Sequence, residues 1–72
     1  MSKKVRIGKF NVQLYASPTT RGTFCGTATF TWEEGDSTME QQVCYDLELA
    51  TEDEAIEHAF KKASLRIQND AV

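Results

Sequence analysis

Histidine and proline each occur once, and cysteine only twice, in a chain of 72 residues. Two cysteines are too few for a secreted disulfide scaffold, and Cys25 and Cys44 have neither CxxC nor metal-ligand spacing, so two free, reduced thiols are expected. The sole histidine, His58, falls on the outer side of the helix it occupies, with no obvious acid or nucleophile beside it. No apolar run approaches the roughly 20 residues that cross a bilayer. The basic start MSKKVRIGKF lacks the apolar segment of a signal peptide, which makes the cytoplasm the expected compartment. A P-loop, a GxGxxG turn, zinc spacing and a full EF-hand loop are also missing, so no cofactor, no metal and no catalytic residues are expected.

What remains is the composition of a small globular protein. Hydrophobic residues make up 40% and charged residues 26%, which is too apolar for a disordered chain. The length allows one domain over residues 1–72, and a core that buries roughly 60% of the unfolded surface. The net charge of −3 argues against non-specific attraction to nucleic acid or anionic membranes. Lys3, Lys4, Arg6 and Lys9 crowd the start; acidic residues cluster at positions 33–36 and 52–57.

Period-two alternation marks three strands. In residues 9–16, Phe10, Val12, Leu14 and Ala16 share a face, opposite Asn11, Gln13 and Tyr15. Val5 and Ile7 keep the other parity, which reads as a bulge or bend at Gly8. The turn SPTTRG leads into residues 23–32, where Phe24, Ala28, Phe30 and Trp32 oppose four threonines and Cys25. After the turn EEGDS, residues 39–49 point Met39, Val43, Tyr45, Leu47 and Leu49 inward. A Glu34-Gly35 loop would set Cys25 directly opposite Cys44. A Gly35-Asp36 loop sets Trp32 opposite Met39, Ala28 opposite Val43 and Phe24 opposite Leu47, lays Tyr45 across Gly26 and leaves the cysteines diagonal; its pairing of large residues makes it the preferred register.

The rhythm then changes to a helical one. Thr51 with Glu54 three residues on forms a capping box, and Glu52, Asp53 and Glu54 place negative charge where the helix dipole favours it. Ile56, Ala59, Phe60, Ala63 and Ile67 form the inward stripe, with Leu65 opposite. The expected fold is α+β: a three-stranded antiparallel meander with one C-terminal helix on one face, in the order β-β-β-α. Phe10, Val12, Leu14, Phe24, Ala28, Phe30, Trp32, Val43, Tyr45, Leu47, Ile56, Phe60 and Ile67 should be buried, and Phe60→Ala should cost about 3–5 kcal/mol.

The alternating strand followed by TEDEAIEHAFKKASLRI, together with the early Gly8, resembles a class of small bacterial domains of unknown function in which a β-meander ends in a T-x-E-E-A-I helix. The chain departs from that pattern in ending its helix on Ile67-Gln68 rather than Ile-Asp. The resemblance implies the fold and a bacterial origin, and implies neither an activity nor site residues.

The function expected from the residues is a non-catalytic protein-interaction or accessory module, with an unknown protein partner or a weak homodimer. Its expected contact face is the outer side of the sheet: Tyr15, Cys25, Thr27, Thr29, Gln42 and Cys44. The alternative is a nucleic-acid-binding domain of β-β-β-α type. The outer face lacks the cations that phosphates require, so that reading is the weaker.

Overall fold

The computed structural model describes residues 2–69. Four strands, β1 (Ser2–Ile7), β2 (Phe10–Pro18), β3 (Phe24–Glu34) and β4 (Ser37–Leu49), form an antiparallel meander in chain order, followed by helix α1 (Glu52–Gln68). The α+β class and the single C-terminal helix are as expected; the strand count is four rather than three. Gly8-Lys9 is a two-residue hairpin loop, with Ile7 opposite Phe10 and Val5 opposite Val12. Gly8 has φ 60°, the positive value that the first position of a primed two-residue turn demands. The parity change at Gly8 is therefore the signature of a hairpin, because directly opposed residues across a two-residue loop share a face while differing in parity.

The β3–β4 hairpin turns on Gly35-Asp36, with Trp32 opposite Met39 and Ala28 opposite Val43, as the preferred register requires. That register does not persist. Between Cys25 and Thr27 the ladder shifts, so that Thr27 faces Cys44 but Cys25 faces Glu48 and Phe24 faces Leu49. Residues 45–47 of β4 span the irregularity opposite Gly26 alone. The expected pairing of Phe24 with Leu47 is lost, and Leu47, expected to be buried, is left 51% exposed.

Thr51 caps α1, its hydroxyl accepting from the Glu54 amide at 3.2 Å. The reciprocal arm of the capping box is replaced: the same hydroxyl donates to Glu54 Oε1 at 3.1 Å. The helix lies on one face of the sheet, and Phe10, Val12, Leu14, Ala28, Phe30, Ile56, Ala59 and Ala63 form the buried cluster. Phe24, Trp32, Val43, Tyr45 and Ile67 are half-buried around it. Full burial of Phe30, Leu14 and Val12 contributes roughly 1.5–3 kcal/mol per side chain.

Phe60 departs from expectation: it is 36% exposed, and the buried helix face is Ala55, Ile56, Ala59 and Ala63. The cause is Gly26. A methyl group placed there would collide with the Ala55 carbonyl and sit 2.8 Å from Ala59 Cβ. The helix thus rests its alanine seam directly on a glycine, which rolls Ala55 inward and Phe60 to the β1 margin. There Lys3 Nζ stands 5.7 Å from the Phe60 ring centre. Met39, also expected inward, is 38% exposed. A 13-residue strand at roughly 3.3 Å per residue outruns a 17-residue helix at roughly 1.5 Å. The far end of the hairpin is closed instead by an edge-on contact between Phe10 and Trp32, with ring centres 5.4 Å apart. No helix among the described residues is long and apolar enough to cross a membrane.

Candidate functional site

Among the described residues nothing covers the sheet face away from α1, and its side chains fall into rows set by the ladder. Ser2, Tyr15, Thr27 and Cys44 lie in one row; Lys4, Gln13, Thr29 and Gln42 in the next; Arg6, Asn11, Thr31 and Glu40 in a third. Five of the six expected contact residues, Tyr15, Thr27, Thr29, Gln42 and Cys44, therefore sit in two adjacent rows. Tyr15, Thr27, Thr29 and Gln42 also line a shallow hollow. Thr27 is only 7% exposed although it belongs to the open face, because Tyr15 and Cys44 flank it across the ladder. Its hydroxyl points at Cys44 Sγ, 3.8 Å away.

Cys25 does not join them. The register shift places it in a row with Ser17 and Glu48. The two cysteines are not opposed: Cys44 faces Thr27, two residues along β3 from Cys25, while Cys25 faces Glu48, and both are free thiols. Cys25 Sγ instead approaches the Asp46 carbonyl at 3.9 Å.

Two features escaped the sequence. The β1 hairpin brings Lys4 and Arg6 beside Asn11, Gln13 and Thr31, where they line a broader groove on the open face. The glycine-initiated two-residue loop was the available signal. The second feature is a polar clamp on the β2–β3 loop. Arg21 donates through Nε to Glu48 Oε1 at 3.1 Å and through Nη2 to Oε2. The Thr23 hydroxyl donates to Oε1 at 2.6 Å and lies 2.7 Å from the Thr19 hydroxyl. The hydrogen bond from Arg21, then that from Thr23, holds the Glu48 carboxyl below its ordinary value, and the same bond raises the Arg21 guanidinium. No local pattern announces this clamp, since its partners are 25 and 27 residues apart.

His58 is half-buried rather than on the outer side. Its ring meets Tyr45 edge-on at 6.0 Å, because the roll of α1 carries it toward β4. Burial pushes the Tyr45 phenol up, against the pull of Arg66. Tyr45 Oη and Arg66 Nε are both buried without a hydrogen-bond partner among the described residues. The cysteines and His58 stand on opposite sides of the sheet. No group of three His, Cys, Asp or Glu side chains among the described residues is placed to share a cation.

Comparison with known proteins finds no matching family model, no similar curated sequence and no similar solved structure. The functional reading rests on the geometry of the open face.

Proposed function

We propose that the chain is a non-catalytic protein-interaction or accessory module that docks a protein partner on the helix-free face of its sheet. One observation carries this reading: two adjacent rows across three strands present Tyr15, Thr27, Cys44, Gln13, Thr29 and Gln42, none of them charged. Covering uncharged hydroxyl, amide and thiol groups costs far less than covering ions, and each finds a substitute partner on an opposing surface. The separation of the cysteines from His58 supports a binding role over thiol catalysis. The bacterial origin and cytoplasmic setting implied at the outset belong to the same reading.

The test is capture from a bacterial lysate with wild type and Thr29→Glu in parallel. A partner retained by wild type and lost by the variant is expected. Equal retention by both rules the face out.

A second reading has its own observation, the groove in which Lys4 and Arg6 stand beside Asn11 and Gln13. Two cations neutralise about two phosphates, which is a weak footing for nucleic acid, and Glu40 shares the Arg6 row. No binding to duplex DNA or RNA is expected at about 150 mM salt. A salt-dependent micromolar affinity that vanishes when Lys3, Lys4 and Arg6 are replaced would promote this reading.

A further inference from the structure

Among the described residues the sheet ends in two free edges, β1 on one side and β4 on the other. An edge strand offers a row of backbone N–H and C=O groups to any strand that fits, and proteins usually guard it with charge. Here the guards have opposite signs. The β1 strand carries Lys3, Lys4 and Arg6 and no acid; β4 carries Glu40, Asp46 and Glu48 and no base. Such charges oppose like edges but not unlike ones.

Direction and register favour the unlike pairing as well. In a four-stranded meander the first and last strands run antiparallel, so a second copy displaced along the sheet brings its β4 to β1 in the antiparallel sense with the same faces up. With the rows continued unstaggered, Arg6 falls opposite the neighbour's Glu40, Lys4 opposite Gln42 and Ser2 opposite Cys44. On the helix side Val5 falls opposite Gln41, Lys3 opposite Val43, and Ile7 opposite Met39. All of β1 is thereby matched by residues 39–44 of β4. That stretch ends where the bulge begins, and residues 45–47 break the ladder before it extends further. Two of the large apolar side chains left exposed flank the two edges: Met39 on β4, and Phe60 beside β1, in the groove it shares with Ser2, Lys3 and Ile56 and with the helix carboxylates Asp53 and Glu57.

We propose that copies of this chain associate edge to edge, β1 of one against residues 39–44 of the next, continuing one antiparallel sheet. The contact is heterologous, so it propagates or closes into a ring rather than stopping at an isologous pair. It is also small, one six-residue ladder, which makes the association weak and concentration-dependent. It goes beyond the docking role proposed above, because it uses the edges and leaves the open face free.

The experiment is sedimentation of the wild type over a concentration series, at low and at high salt. Average mass should rise with concentration, and salt should reduce the rise. Arg6→Glu and Glu40→Lys should each weaken association roughly tenfold, since reversal turns an opposed attraction into a repulsion. The double variant R6E/E40K should recover it, as should an equimolar mixture of the two single variants. Circular dichroism of each variant confirms that a loss of association is not a loss of fold, and recovery in the double variant provides the same control. Thr29→Glu should associate as wild type does. A wild type that stays monomeric at millimolar concentration overturns the proposal. So does association that survives Arg6→Glu, that a folded double variant fails to regain, or that Thr29→Glu abolishes.

Discussion

On the helix side of the sheet, Val12, Leu14, Ala28 and Phe30 are sealed from solvent at 1% exposure or less. On the other side the same two strands present Asn11, Gln13, Tyr15, Thr27, Thr29 and Thr31, with no other element among the described residues laid over them. The two faces share a backbone, so whatever sets the strands for one constrains the other. Gly26 is where the demands meet. It admits the helix on the covered face, and beside it the β3–β4 register shifts, so that Cys25 faces Glu48 while Cys44 faces Thr27. Stability in a one-sided sheet is concentrated on the covered face, while the open face retains freedom in its chemistry.

The sharpest way to break that asymmetry is to fill the seat of the helix. At Gly26 a Cβ meets the Ala55 backbone carbonyl, which no side-chain rotation can move aside. Gly26→Ala should cost about 3 kcal/mol, at the upper end of overpacking penalties and a large share of the 5–15 kcal/mol typical of a domain. Urea unfolding measures it. A near-neutral result would mean that α1 does not rest on the glycine at all.

Phe60→Ala comes next. The sequence pattern alone sets its cost at about 3–5 kcal/mol, but a ring that keeps 36% of its surface open loses less by truncation. A loss of about 1–2 kcal/mol is expected, scaling the transfer and cavity terms to partial burial. The contact with Lys3 adds a modest part of it. Phe30→Ala, fully buried, should show the larger penalty of about 3–5 kcal/mol. If the two phenylalanines cost the same, the helix sits rolled toward Phe60 after all.

Three of the four strands and the helix are legible in the sequence because alternation and capping are local. Parity alone assigns residues to the open face, the ladder sets their rows, and five of the six expected contact residues fall in two of them. Three things were not legible, each for a physical reason. The Gly8 parity change fits a bulge and a hairpin equally, and only a partner for Ser2–Ile7 decides between them. The β4 bulge lies opposite Gly26, the residue on which the helix rests, and leaves no mark on β4's own alternation. The exposure of Phe60 is not legible because a hydrophobic stripe fixes which residues are apolar, whereas the depth of each is set by the closest approach, here alanine on glycine.

A smaller effect, on the open side of the comparison, comes from the clamp at Glu48. Its carboxyl is held below the ordinary value of 4.5 by Arg21 and Thr23. A group whose folded pKa is depressed contributes stability that is complete above its unfolded value and is lost as pH falls through the folded one. The melting-temperature gap between wild type and Glu48→Gln should therefore be widest at neutral pH and close as pH drops below the carboxylate range. A gap that stays constant through that window would show that the charge on Glu48 contributes nothing to the stability.

The least expected change is Thr29→Glu. Thr29 lies on β3 between Gln13 and Gln42, half-buried in the ladder but uncovered by any other layer. A glutamate there extends into solvent and meets no acidic neighbour in its row, where Lys4 stands beyond Gln13. Strand propensity falls slightly on losing a β-branched residue. The expected shift in stability is within about 0.5 kcal/mol, the usual range for surface changes. Read beside Gly26→Ala, three positions earlier on the same strand, this variant asks whether stability resides on one face only. Matching losses from the two would mean that the open face is packed as tightly as the covered one. A fold left intact by Thr29→Glu, with partner capture gone, would assign binding to the open face and stability to the other.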